Sequence, residues 1–427
     1  MLHMKLLVVQ CAALGHQLWE RCHRADFWSS LSPAAMRPSF PALTCVAQAC
    51  FRTAAEPSRH GVVANGFFDK TFRKVSFWEQ SSLLVQGPRI WNDFRGRGGR
   101  VGLICWQQSL GTDADTILSP APVHRHHGGM IQAWHSRPAR LYEQLAAGVG
   151  RRFDLKSYWG PLASLKSTEW ITAATIELLT RHNPPELLLT YLPHLDYALQ
   201  RYGPNGPEAQ KAFAELEERI GRLAAVAAHT GYELVVFGDY AITAAETVLF
   251  PNKTLREAGL LALREVEGML YPDLYSSKAF ALVDHQIAHV YATDAQSAEA
   301  AKTALEKAGG LEAILDKTDL PHDRSGDLIL VAKPGHWLAY PWWNVPSEIP
   351  DFARHVDIHN KPGYDPCELF FGLWPPLSVS LDVRKVKGTH GRSSGAPEEL
   401  AYFGATIPEL ARTSSLVETA SLLQQFL

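Results

Sequence analysis

Thr44 is the residue whose position most invites chemistry. It follows a proline-containing approach, Pro41-Ala-Leu-Thr44, and precedes a run to about Arg52 that can start a helix. A hydroxyl there lies among the unpaired backbone N–H groups of a helix N-terminus, which favour an anion such as phosphate. The plain alternative is an N-cap threonine, a common device. Two carboxylates, Asp196 and Asp239, each follow a buried apolar run, Glu186–Leu192 and Leu234–Phe237. Strand–helix–strand units of this kind place both just beyond the carboxyl ends of adjacent strands, where open α/β sheets bind ligands. His390 is presented by a tight glycine-flanked loop, Gly388-Thr-His-Gly391.

The elements that must position these groups are legible in outline. Apolar runs alternate with helical stretches, the pattern of a mainly parallel sheet covered by helices. Leu6 to Val9 reads as a buried first strand rather than a signal peptide, because the apolar run is brief and lacks a clean cleavage site. Val62 to Phe77 reads as extended, Val101 to Cys105 as a short strand, and Trp170 to His182 as a helix. The amphipathic pattern is clearest from Pro207 to His229, where Phe213, Leu216, Ile220 and Leu223 share one face. The stretch from Thr112 to Pro138, rich in His, Gly and Pro, receives no regular structure. Its His124, His126, His127 and His135 read as solvated loop histidines. Leu255 to Gly268 reads as a helix, Ala279 to Tyr291 as one strand, Ala295 to Ala308 as a helix and Leu328 to Ala332 as a strand. Residues 255–350 are expected to form an inserted α+β cap on a core of residues 1–254 and 351–427.

Composition narrows the class. The chain has 427 residues, 46% of them hydrophobic, enough for one large α/β domain with insertions. A net charge of -3 gives no electrostatic case for nucleic acid. No stretch approaches the ~20 apolar residues of a membrane span. The six cysteines make no CxxC pair and read as free thiols of a reducing compartment, the cytoplasm.

Thr44 with its flanking residues, followed by Pro57-Ser-Arg-His-Gly-Val-Val-Ala-Asn65, resembles the nucleophile region of the type I phosphodiesterase/nucleotide pyrophosphatase branch of the alkaline phosphatase superfamily. The resemblance implies a three-layer α/β/α alkaline-phosphatase-like fold. It also implies Thr44 as nucleophile, and Asn65 as an amide donor to a non-bridging phosphoryl oxygen. In that family a pair of metal ions, usually zinc, serves the reaction. Leu195-Asp-Tyr-Ala-Leu-Gln-Arg-Tyr-Gly-Pro204 resembles one ligand motif, with Asp196 in the aspartate position but Gln200 where a histidine is usual. Phe237-Gly-Asp-Tyr-Ala241 resembles another, with Asp239 kept and Tyr240 replacing histidine. His390 matches the last ligand, while the first strand ends in Gln10 rather than aspartate. The implied metal ligands are therefore Asp196, Asp239 and His390.

The departures have physical meaning. Losing two imidazoles and a carboxylate leaves an oxygen-rich site that suits Mg2+, Mn2+ or a single metal better than tight di-zinc. Replacement ligands are available in His285 and His289, or in Asp357 and His359. The leading expectation is a metal-dependent hydrolase of a small phosphodiester, pyrophosphate or phosphonate. A degenerate member acting as a binding or assembly protein is the alternative, and a phosphomutase-like transferase a third. Oligomeric state is not readable.

Overall fold

A computed structural model describes residues 4–125, 129–181, 183–373 and 378–427. The strands that matter to the site begin with β1 (Leu6–Cys11), β2 (Ala34–Met36), β3 (Val101–Ile104), β4 (Thr116–Pro120), β5 (Trp134–Arg137), β6 (Leu187–Leu192) and β7 (Glu233–Gly238). They continue with β8 (Ala279–Asp284), β9 (Ile287–Ala292), β10 (Leu311–Asp316), β11 (Leu328–Ala332) and β12 (Ala401–Ala405). The main sheet runs β2–β12–β7–β1–β6–β3–β4–β5. Its middle, β7–β1–β6–β3–β4, is parallel throughout, and the flanking strands pair antiparallel. Parallel strands are buried on both faces, which is why these segments read as continuous apolar runs.

The helices are α1 (Thr44–Thr53), α2 (Leu165–Leu179), α3 (His194–Tyr202), α4 (Pro207–Thr230), α5 (Ala295–Ala308) and α6 (Leu416–Leu423). Strand alternation divides the core between them. Leu7, Val9 and Cys11 of β1 share a cluster with Trp170 and Ile171 of α2 and with Phe213, Leu216, Ile220 and Leu223 of α4. Leu6 and Val8 join Val46 and Phe51 of α1 and Leu416 and Leu423 of α6 on the other face. The fold is the three-layer α/β/α arrangement expected.

Between the main-sheet strands β7 and β12 the chain builds a second, antiparallel sheet, β8–β9–β11–β10. Ala301 and Leu305 of α5 pack with it, as do Phe68 and Phe77 from the Val62–Phe77 segment. That segment is a hairpin, Gly66–Asp69 with Lys74–Phe77.

Several local expectations change. The Thr112–Pro138 stretch contains two main-sheet strands, β4 and β5. Ladder pairing there overrides a composition that reads as loop. His124 is exposed and His135 lies on β5, whereas His126 and His127 fall outside the described residues. Leu255 to Gly268 is not one helix. A helix over Pro251–Glu257 ends at Ala258-Gly259, and a hairpin of Leu263–Val266 with Met269–Pro272 follows. Ala279 to Tyr291 is two strands, turned at His285 and Gln286. All six cysteines are unpaired, and no described helix is long and apolar enough to cross a membrane.

Phe237 ties the sheet to the helix that starts at Thr44. It is fully buried on β7, stacked on Phe51 of α1 at 5.0 Å and edge-on to Trp106 at 6.5 Å. Phe237→Ala is expected to cost about 3–5 kcal/mol in urea unfolding, the range for emptying a buried aromatic site.

Candidate functional site

Three strand ends and one loop converge. Chain geometry fixes the first helical residue at Thr44, because Leu43 before it is extended and the Leu43 carbonyl accepts from the Ala47 N–H. Gln10 of β1 lies between Tyr191 of β6 and Phe237 of β7. Beyond β6, α3 carries Asp196 and Gln200; beyond β7 come Asp239 and Tyr240. Gly238 is required here, since a Cβ would stand 2.1 Å from the Leu14 carbonyl oxygen. Gly388–Thr389 pairs with Thr243–Ala244 and delivers His390, whose carbonyl accepts from the Gln286 N–H of the second sheet.

Thr44, Asp196, Asp239 and His390, far apart in sequence, thus meet in one buried cluster. The Thr44 hydroxyl donates to Asp239 Oδ2 at 3.1 Å and lies 3.3 Å from the Tyr240 hydroxyl. Gln10 Nε2 also donates to Asp239 Oδ2, at 2.9 Å, while the Ala13 and Tyr240 N–H groups reach Oδ1. Asp196 accepts from Gln200 Nε2 at 2.7 Å and from the Tyr240 hydroxyl at 3.0 Å. His390 Nε2 stands 4.0 Å from Asp196 Oδ1. The three residues that break the motif pattern, Gln10, Gln200 and Tyr240, therefore hold the two carboxylates.

Asn65 sits beside α1, the helix that Thr44 begins. Its Oδ1 accepts the Cys45 N–H at 3.0 Å, and its own N–H and Nδ2 donate to Asp284. Asp284 also binds His285 Nδ1 at 2.8 Å. The His285 ring packs on His390 and on Tyr364, both at 3.7 Å between centroids, and Tyr240 stacks on His390 at 3.5 Å. Tyr364 then donates to Gln200 Oε1. His285, named from the sequence as an available replacement ligand, belongs to the cluster, and so do Asp284 and Tyr364, which sequence reasoning left out. An acid–imidazole pair in a strand reads as structural, and only the turn at His285 aims it here. The remaining candidates stay away. His289 is bonded to the Val63 carbonyl and the Gly326 N–H, His359 to the Phe77 carbonyl, and Asp357 to Asn360.

Burial dominates the electrostatics. Asp239 is pushed up to about 7 by burial, although the Ala13 N–H pulls the other way. Asp196 is pushed up to about 6, again by burial, and Asp284 likewise to about 6. His285 and His390 are held well below the usual imidazole range by burial, so both rings are neutral. No lysine or arginine bonds either Asp196 or Asp239 among the described residues.

A divalent cation fits the chemistry of this cluster. Besides the carboxylates, three buried acceptor-capable atoms have no partner: Gln10 Oε1, His285 Nε2 and His390 Nε2. Acceptors without donors in a buried site are costly, and a cation satisfies them all. Among the described residues no three His, Cys, Asp or Glu side chains already stand together as a metal cage. The set is mixed, with hydroxyl and amide oxygens beside carboxylates and imidazoles. The larger cavities, of 540 and 240 Å3, have other linings; the second reaches Ala13 and Ala241, next to Asp239 and Tyr240.

Comparison with known proteins gives the family and the fold. The family profile of Type I phosphodiesterase / nucleotide pyrophosphatase matches residues 25–365. An uncharacterized pyrophosphatase/phosphodiesterase of Schizosaccharomyces pombe is 27% identical over 188 residues, 44% of this chain and 32% of that protein. The match thus spans about a third of the length of that relative. Murine ectonucleotide pyrophosphatase / phosphodiesterase 5, an inactive form in complex with AMP, superposes with a TM-score of 0.61 at 16% identity, covering 99% of this chain and 95% of that one. Phosphonoacetate hydrolase from Sinorhizobium meliloti, in complex with phosphonoacetate, gives 0.63 at 16% identity over 99% and 95%. At such identities these two establish the fold.

The Asp239 shift sets a pH dependence. Its folded-state value lies above the ordinary 3.8, so its contribution is full below that pH and is lost as pH rises through about 7. In EDTA, the wild type is expected to lose stability between about pH 5 and pH 8 more steeply than Asp239→Asn, in urea unfolding at each pH. Parallel profiles would remove Asp239 from the balance.

Proposed function

The chain belongs to the type I phosphodiesterase / nucleotide pyrophosphatase family, and from that premise we propose that it hydrolyses a small phosphodiester, pyrophosphate or phosphonate with Thr44 as nucleophile. The observation that carries the reading is the Thr44 hydroxyl at the first turn of α1, donating to a carboxylate poised near neutrality. In the first step the Thr44 oxygen bonds to phosphorus, the bond from phosphorus to the leaving group breaks, and the hydroxyl proton departs with the leaving group. Water then attacks the same phosphorus, cleaves the ester to Thr44 and restores the hydroxyl. Asn65, whose Oδ1 caps the same turn, has a second Nδ2 proton for a non-bridging oxygen once Asp284 has taken the first.

Thr44, Asp239 and Gln10 would hold a cation at one end of the cluster, and Asp196 with His390 at the other. A divalent cation there supplies positive charge for the phosphoryl oxygens and lowers the pKa of the Thr44 hydroxyl. Oxygen donors at the Asp239 end favour Mg2+ or Mn2+ over zinc. Residues 255–350, the proposed cap, bring Asp284 and His285 against this end of the sheet. Six free thiols support the cytoplasmic placement.

One observation favours the alternative of a binding or assembly protein. The Tyr240 hydroxyl reaches both Thr44 and Asp196, and the Thr44 side chain is almost wholly covered, at 2% exposure. A phosphoryl group reaches the hydroxyl only when the Tyr240 phenol withdraws.

A panel of nitrophenyl phosphodiesters, monoesters and phosphonates, assayed with Mg2+, Mn2+ and Zn2+, separates the two readings. The hydrolase reading expects turnover that falls to background in Thr44→Ala, with an unchanged circular dichroism spectrum. Asn65→Ala is expected to lose on the order of 10²-fold in rate, the usual cost of one donor to developing charge. No turnover under any metal would support the binding protein.

A further inference from the structure

The second sheet brings the site an imidazole that the motif pattern does not supply. His285 occupies the turn between β8 and β9 with φ at +61°, a left-handed conformation uncommon outside glycine. Such backbone strain persists only where the surroundings fix it. Here Asp284 Oδ1 accepts from Nδ1 at 2.8 Å, and the ring is clamped between Tyr364 and His390. The Ala42 carbonyl does the same for His390, accepting from Nδ1 at 2.8 Å. Each acceptor fixes the ring proton on Nδ1 and leaves the Nε2 lone pair free. Both Nε2 atoms are buried and without a partner.

Two neutral imidazole lone pairs beside a carboxylate describe what they can take. An anion is repelled by acceptors, and among the described residues no lysine or arginine bonds these side chains. A carboxylate or carbonyl behind the second ring nitrogen is the usual support for a metal-bound histidine, fixing its tautomer and raising its basicity. Imidazole suits zinc and cobalt, whereas an all-oxygen set suits magnesium.

We propose that His285 is a metal ligand that stands in for the imidazole missing at Gln200, joining His390 and Asp196 in a single site for zinc or cobalt. His390 Nε2 is 4.0 Å from Asp196 Oδ1, too far for a hydrogen bond and suited to an ion between them. Binding separates the stacked rings of His285 and His390, and draws Asp196 Oδ1 from the Tyr240 hydroxyl. The proposal shares its site with the hydrolase reading, but binding is measured without substrate, so either can fail alone.

The test titrates Co2+ into EDTA-stripped protein and follows visible absorption and calorimetric heat. Wild type is expected to bind one Co2+ at this site with the intense visible bands of a low-coordinate ion. His285→Ala should weaken that event more than ~10-fold, and Asp284→Asn by about 10- to 100-fold, the usual loss when the carboxylate that orients a bound histidine is removed. His359→Ala, bonded outside the site, should bind as wild type does. Thr44→Ala should keep the event even where turnover is lost. Should His285→Ala fail to fold, 15N spectra of the wild type give the answer, with two histidine Nε2 resonances shifting together on Zn2+ addition. No binding by wild type, equal affinity in folded His285→Ala, or a shift of one histidine alone would overturn the proposal.

Discussion

Two carboxylates are buried beyond the ends of β6 and β7, which flank β1 rather than lying side by side as the sequence suggested. Among the described residues no lysine or arginine bonds them, and the site is arranged around that constraint. Burying a charge without a partner is among the costliest things a fold can do. Asp239 accepts from two backbone N–H groups, a Gln10 amide and the Thr44 hydroxyl. Asp196 accepts from Gln200 and Tyr240. These neutral donors offset part of the cost, yet both carboxyls still sit well above their ordinary range, at about 7 and about 6. The unpartnered Gln10 amide oxygen and the two free imidazole nitrogens repeat the same imbalance. Acceptors outnumber positive charges throughout the cluster.

The rings around the carboxylates couple the two sheets. Tyr364, His285, His390 and Tyr240 form a continuous column, with centroid spacings of 3.7, 3.7 and 3.5 Å. Hydrogen bonds close the column on itself, from Tyr364 to Gln200, from Gln200 to Asp196, and from Tyr240 back to Asp196. Members of such a network do not act independently, because each polarises and positions the next. Tyr240 is therefore more than a lost histidine. Its phenol bonds Thr44 and Asp196, and its ring stacks on His390.

Much of this was legible in the chain, for identifiable reasons. Apolar runs ending in Asp196 and Asp239 gave the strand ends, since buried parallel strands leave little else to read. The α5 boundaries, Ala295 to Ala308, follow directly from its capping aspartate and closing glycine. The helix start was readable within a residue from the prolines ahead of it, but Thr44 is not the N-cap the sequence allowed, because Leu43 takes that position and Thr44 is the first helical residue. The strands β4 and β5 were not, because their His- and Pro-rich composition conceals a pairing that only neighbours enforce. Nor was the turn at His285. Without glycine, asparagine or proline to mark it, Ala279 to Tyr291 has the pattern of one strand, with the acid–imidazole pair inside it. The hydrogen bonds that Gln10, Gln200 and Tyr240 make to the carboxylates also lay beyond the sequence. Their bonds join positions scores to hundreds of residues apart, except the single helical turn from Gln200 to Asp196.

Anomalous diffraction from crystals grown with Mn2+ or Co2+ tests the central claim, that the carboxylate pair is built to face a cation. The account predicts an anomalous peak within ligand distance of Asp196 or Asp239, with the Tyr240 phenol displaced from Asp196. A peak-free map at saturating metal, with Tyr240 still bonded to Asp196, would contradict it.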